Sequence, residues 1–222
     1  MDIANLIQTV SIYAIPVLLS ITLHEAAHGY AARHFGDNTA YVAGRITLNP
    51  FKHIDLVGTI LMPLLLYFAT SGAFLFGYAK PVPVRFGNLR RPKQDMVWVA
   101  LAGPGSNFLQ ALLWGAVFYL LQAAGVNERF FVEMAQGGIL VNIVMFAFNL
   151  FPLPPLDGGR ILVGLLPYRA AMLVSRVEPF GFFIVMALVL AGVVGSLWLR
   201  PLMSLSFKLI NLLLTPLAML LS

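Results

Sequence analysis

Six apolar runs, at residues 3–35, 56–78, 96–124, 134–151, 180–199 and 202–221, take up most of this chain, and the polar gaps between them are too short to bury a core of their own. At 1.5 Å of helical rise per residue, about 20 such residues cross a hydrocarbon layer roughly 30 Å thick. In lipid every backbone N–H and C=O must find a partner within the protein, so only helices or closed barrels can span it. The runs are continuous rather than alternating, which selects helices. Composition agrees: 59% of residues are hydrophobic and 10% charged, against roughly 25% charged in a soluble domain. The expected fold is an all-α polytopic membrane protein, residues 1–222 forming one integral-membrane domain of five to six helices.

The net charge of +5 does not point to nucleic acid, because the basic residues lie in loops beside apolar runs and not along one face. Cysteine is absent, which removes thiolate ligands and cysteine nucleophiles and leaves nitrogen and oxygen to hold any metal. The first run lacks a basic leader and continues into charged residues, so it is expected to be retained rather than cleaved as a signal peptide. Run 56–78 is interrupted by Pro63 and by Thr70-Ser71-Gly72. Residues 41–50 have strand-like composition and end in Asn49-Pro50, and Lys80 to Val84 is held extended by its prolines. Together these two pieces predict a small β-hairpin.

Seven of the nine acidic residues lie in loops or near run ends. Glu25, inside the first run, and Asp157, just after the fourth, do not. An ionisable group at membrane depth costs roughly 3 kcal/mol or more unless it is paired or bound to metal, so each is a functional candidate. Residues 24–28 read His-Glu-Ala-Ala-His. On a helix, positions i and i+4 share a face, so His24 and His28 can reach one zinc ion. Glu25, about 100° around, can take a proton from the water that the metal polarises. With four histidines in 222 residues, the motif arises by chance in roughly one shuffled chain per thousand. The bland alternative is a histidine pair satisfied by backbone carbonyls.

A catalytic zinc has three protein ligands and an open position. His34, His53, Asp55 and Asp157 are the candidates for the third. Asp157 has the most distinctive setting, Asn149-Leu-Phe-Pro-Leu-Pro-Pro-Leu-Asp157-Gly158-Gly159-Arg160, where three prolines break an apolar run. Broken helices at membrane depth occur where they are buried or line a cavity. The bland alternative is an N-cap for the helix after Gly158-Gly159, and a cap can still be a ligand.

His24-Glu25-Ala26-Ala27-His28 in an apolar helix, with Asn149 through Leu156-Asp157-Gly158 on a later broken one, resembles the site-2 protease family of intramembrane zinc metalloproteases. The resemblance covers roughly residues 15–165, with C-terminal helices at 180–221 beyond it. It implies one Zn²⁺ per chain held by His24, His28 and Asp157, with Glu25 as general base. Asn149 is implied to orient substrate or stabilise an oxyanion, and Asn107, in the similar stretch Gly103-Pro104-Gly105-Ser106-Asn107, is a second candidate for that duty. For both asparagines the alternative is an inter-helix hydrogen bond. The substrates implied are single-span membrane proteins or signal peptides, cleaved in regulated intramembrane proteolysis or in clearance of signal-peptide remnants. The polar gaps leave no room for a PDZ or CBS domain, so the chain resembles a minimal form.

The ligands meet only if the late part of the first run and the end of the fourth lie at one depth, with their helices parallel. Run 56–78 is therefore expected to re-enter, with its break near Thr70–Gly72, and not to cross. Loops 33–55, 78–97 and 157–179 then share a side and hold eleven of the fourteen basic residues, whereas loop 125–133 holds one arginine and two glutamates. The positive-inside rule makes the metal side cytoplasmic in a multi-pass protein of a prokaryotic-type inner membrane. Two other classes compete. A non-proteolytic zinc transporter or scaffold would keep its function without Glu25, and a metalloprotease with a glutamate as third ligand would need one of Glu128, Glu133 or Glu178.

Overall fold

A computed structural model of the chain describes residues 3–62, 64, 65 and 77–221. Helix α1, Ile3–His34, covers the first apolar run. It ends at Gly36, whose φ of 113° suits a residue without a side chain, and the Asp37 N–H reaches back to the Ala32 carbonyl at 2.9 Å to close the last turn. A short helix α2, Thr39–Val42, and single turns at Pro50–Lys52, Leu56–Leu61 and Phe86–Asn88 follow. Then come α3, Pro92–Ala123, and α4, Arg129–Asn149, joined by a short loop. Beyond the proline-rich break lie α5, Asp157–Leu165, α6, Tyr168–Ser175, and α7, Glu178–Leu190. A wide turn at Val194–Leu199 leads into α8, Arg200–Leu221.

Contacts between side chains fix the directions of the three central helices. His24 meets Asn107 while His28, one turn on in α1, meets Val99, about two turns back in α3, so α1 and α3 are antiparallel. Asn107 meets Asn142, and Trp114 lies against Gly138, so α3 and α4 are antiparallel as well. It follows that α1 and α4 are parallel, and the ends of both carry site residues. Ala111 of α3, Ile143 of α4 and Ile210 and Leu214 of α8 form one apolar core cluster, and Ala32, Leu89 and Val99 form another. Glycine lets the helices approach: a Cβ on Gly138 would lie 2.3 Å from the Trp114 ring and one on Gly115 would lie 2.5 Å from Leu214.

The pattern of burial is that of a protein whose solvent is lipid. Ser20, Thr22, His24, Asn107, Gln110 and Asn142 are buried, whereas Ile15, Leu19, Leu109, Leu113, Leu197 and Leu212 face outward. Among the described residues four helical stretches, Ile7–His34, Pro92–Ala123, Arg129–Asn149 and Val194–Leu221, are long and apolar enough to cross a membrane, and α6 with α7, bent by 67°, makes a fifth if the pair is one span. Run 180–199 is not the straight span its composition suggests. Gly192, at φ 74°, ends α7 after 13 residues, about 20 Å of helix, and the last part of the run joins the α8 span instead.

The chain between α1 and α3 leaves and returns at one end of the bundle. Arg90 N–H donates to the Phe35 carbonyl, and Tyr78 N–H donates to the Gly58 carbonyl, each at 2.9 Å. The expected re-entrant break at Thr70–Gly72 lies outside the described residues. The expected β-hairpin is not formed among the described residues, which contain no strand. Tyr41 and Val42 finish a short helix, and Pro81 and Pro83 deprive the 80–84 segment of ladder donors. The two pieces touch through a side chain instead: Arg45 Nη2 donates to the carbonyls of Lys80 at 2.9 Å and Pro81 at 3.2 Å.

Candidate metal centre

His24 and His28 sit one turn apart on the inner face of α1, and Asp157 is the first residue of α5. The fold brings the three together. Asp157 Oδ2 lies 3.3 Å from His24 Nε2 and 3.4 Å from His28 Nε2, and the two nitrogens are 3.0 Å apart. Among the described residues this is the only group of three His, Cys, Asp or Glu side chains that could share a metal ion.

The hydrogen bonds behind the imidazoles decide which nitrogens face inward. Asn107 Nδ2 donates to Asn142 Oδ1 at 3.0 Å, to Ser20 Oγ at 2.8 Å and to the Ser20 carbonyl at 3.2 Å. Its oxygen is therefore turned to His24, whose Nδ1–H donates to it at 2.6 Å. His28 Nδ1–H donates likewise to the Val99 carbonyl at 2.7 Å. Both Nε2 atoms are thus left with lone pairs, as metal-binding histidines require. Two lone pairs then face a carboxylate oxygen that is buried and has no hydrogen-bond partner among the described residues. Such a cluster repels itself unless a cation sits among its members. Tetrahedral zinc with bonds of about 2.0–2.2 Å separates its ligand atoms by about 3.3–3.6 Å, close to the 3.0–3.4 Å found. The donor set fits zinc.

Glycines make the convergence possible. A Cβ on Gly103 of α3 would lie 2.3 Å from His28 Nε2 and 2.7 Å from His24 Cε1, so the imidazoles rest on bare backbone. A Cβ on Gly158 would lie 2.1 Å from the Leu150 carbonyl oxygen, and one on Gly159 would lie 2.1 Å from Pro154 N. The broken segment 150–156 therefore folds against the start of α5 and aims Asp157 inward.

Glu25, one residue from His24, receives the Val82 N–H at 2.6 Å. With His24, His28, Asp157, Asn149, Val82, Val84, Phe86 and Arg160 it lines an open cleft of about 950 Å³, mouth included. Asn149 holds the cleft wall with one N–H on the Met145 carbonyl at 3.0 Å. Asn107 does not line the cleft. It is fully buried, and its geometry is the inter-helix hydrogen bond weighed as the alternative. The other ligand candidates are occupied elsewhere: His53 Nε2 meets the Thr47 carbonyl, Asp55 caps the turn at Leu56–Leu61, and the His34 ring stands edge-on to Phe35.

Three residues of this site carry little signal of their role in the sequence. Gly103 could have been suspected from its place in Gly103-Pro104-Gly105-Ser106-Asn107. Val82 was visible only as part of a proline-rich segment. Arg160, whose Nη2 lies 2.8 Å from Glu178 Oε1 and whose guanidinium stands over the Phe86 ring, carried no signal beyond following Asp157.

Two lone-pair nitrogens and a carboxylate on apolar helices, with a second carboxylate beside them in an open cleft, define a class: a metallopeptidase centre built into a multi-pass membrane protein. Residues 125–192, which include Asp157, match peptidase family M50. The chain is 37% identical over 199 residues to YwhC of Bacillus subtilis (strain 168), named as a candidate zinc metalloprotease, and the match covers 86% of this chain and 84% of that one. It is 30% identical over 174 residues to Rip2 of Mycolicibacterium smegmatis, named in the same way, covering 78% of this chain and 64% of that one. Rip3 of Mycobacterium tuberculosis, also so named, is 27% identical over 198 residues, which are 84% of this chain and 42% of the relative. The chain thus spans most of YwhC but less than two thirds of the mycobacterial proteins. No solved structure matches it. The chain belongs to peptidase family M50, the site-2 protease family, and is a zinc metallopeptidase.

Proposed function

We propose that this protein is an intramembrane endopeptidase that cleaves single-span membrane proteins or signal-peptide remnants within or near the bilayer of a prokaryotic-type inner membrane, with its metal side toward the cytoplasm. The observation that carries this reading is the meeting of His24, His28 and Asp157 on membrane helices, beside Glu25 in an open cleft. His24, His28 and Asp157 are the proposed ligands. Zinc held there supplies Lewis acidity, lowering the pKa of water toward 7 and polarising the scissile carbonyl.

Glu25 is the proposed general base. Its carboxylate takes a proton from the attacking water as the water oxygen bonds to the carbonyl carbon, and passes that proton to the amide nitrogen as the C–N bond breaks. Asn149 has one N–H committed to Met145 and a second left to hold the substrate carbonyl as it gains charge. A helical substrate offers no free backbone groups, so the bond to be cut must first unwind into an extended stretch. The apolar walls at Val84 and Phe86 suit such a stretch.

The test is cleavage of a panel of single-span substrates by purified protein, with and without chelator. Glu25→Gln is expected to keep one zinc per chain and to cleave roughly 10²–10⁴-fold more slowly. Cleavage that survives in Glu25→Gln, or after the metal is stripped, would refute the reading. A zinc transporter or scaffold would show metal-dependent binding or transport indifferent to Glu25.

A further inference from the structure

Pro81 and Pro83 have no backbone N–H, so between residues 81 and 83 the chain carries a single donor, that of Val82. That donor points at Glu25 Oε2, 2.6 Å away. The segment is clamped immediately before it. Lys80 N–H donates to the His53 carbonyl at 2.9 Å, and the Arg45 guanidinium holds the carbonyls of Lys80 and Pro81. The Val82 side chain is buried against α1 beside Gly29, where a Cβ would come within 3.3 Å of Val82 Cγ1.

We infer that the Lys80–Val84 segment is a strap that positions the catalytic base: the Val82 N–H holds one carboxylate oxygen of Glu25 and so aims the other at the reacting water. Glutamate has three rotatable side-chain bonds, and without a fixed partner its carboxylate would sample several rotamers across an open cleft. A charge-assisted hydrogen bond from a backbone restricted by two prolines removes that freedom before substrate arrives. Val82 is thus a positioning residue, acting through Glu25. The inference rests on the proposal that Glu25 is the base.

The strap predicts an effect on kcat and not on KM, because the ground-state complex does not need the base in place. Val82→Pro deletes the donor. It is expected to lower kcat roughly tenfold to a hundredfold, the worth of one hydrogen bond to a charged group, with zinc content and KM within about twofold of wild type. Val82→Ala shortens the side chain but keeps the N–H, and is expected to recover most of kcat. Arg45→Ala, which loosens the clamp without touching the cleft, is expected to lower kcat severalfold at full zinc content, and it decides the matter if Val82→Pro loses its metal.

Full kcat in Val82→Pro, or a fall in Val82→Ala as large as in Val82→Pro, would overturn the strap. So would an Arg45→Ala variant with unchanged kcat where Val82→Pro cannot bind zinc. Measuring Glu25→Gln alongside separates the two readings: if it stays active, Glu25 is not the base, and if it is inactive while Val82→Pro keeps full kcat, only the strap fails.

Discussion

At Gly103 two rules about helices collide. Alanine is favoured over glycine inside a helix by about 1 kcal/mol, so Gly103→Ala should stabilise α3 if only local preference mattered. Its Cβ, however, would land 2.3 Å from His28 Nε2, inside the space the imidazoles need. Gly103→Ala is expected to retain helical content and to lose most of its zinc and its cleavage activity, measured by metal analysis and substrate assay. One zinc per chain with full activity would show that the imidazoles are free to move. Asn107 tests the support behind His24. Replacing it with leucine leaves the His24 Nδ1–H, Asn142 Oδ1 and Ser20 without their partner in a buried place. Zinc affinity should fall about 10–100-fold, the usual effect of losing a ligand's outer partner. Asn107→Asp, which keeps an acceptor toward His24, should restore part of it.

At the scale of elements, the exit of α1 depends on Asp37. Its Oδ1 accepts from the Thr39 N–H, the Thr39 hydroxyl and Asn88 Nδ2, and its Oδ2 accepts from the Arg85 N–H at 2.7 Å. One buried carboxylate thus ties the end of α1 to the stretch that leads into α3. Burial pushes its pKa up, but the donors from Thr39, Arg85 and Asn88 outweigh burial and hold it below the ordinary carboxylate value. A carboxylate whose folded pKa is depressed adds its full stability above the unfolded value, about 3.9, and loses it as pH falls through the folded one. Asp37→Asn is expected to cost about 1–3 kcal/mol at neutral pH. It should also flatten the loss of stability on acidification below about pH 4, as read from thermal melts across pH. An unchanged acid slope would mean that other carboxylates carry it. The same scale explains Asp157, which is held inward only because Gly158 and Gly159 allow segment 150–156 to pack on the helix start.

For the whole molecule, antiparallel α1–α3 and α3–α4 pairs put the C-terminal ends of α1 and α4 together, so loops 33–55, 78–97 and 157–179 share one end of the bundle. That end holds eleven of the fourteen basic residues, and the proposed orientation, by the positive-inside rule, turns it to the cytoplasm. Because the chain has no cysteine, single cysteines can report sidedness directly. In intact cells, cysteines at positions 52, 90 and 169 are expected to resist an impermeant reagent that modifies one at 127. Labelling of 90 together with 127 would contradict the shared side.

The chain's own chemistry determines a great deal by itself. Apolar runs too long for a soluble core dictated membrane helices, and a His-Glu-Ala-Ala-His turn inside one of them pointed to a metal, because nothing else readily offsets that much polarity in lipid. Covalent spacing within one helix turn is enough for such a reading. Tertiary structure decided what lies far apart in sequence. It brought Asp157, the residue its sequence setting favoured, and not His34, His53 or Asp55, to the histidine pair, made Asn107 the buried partner of His24, broke run 180–199 at Gly192, and replaced an expected hairpin with an extended segment whose Val82 N–H meets Glu25. The physical reason is common to all four: which donor meets which acceptor, and where bare backbone must lie against a ring, depends on helix packing, and packing distances are not written in local periodicity.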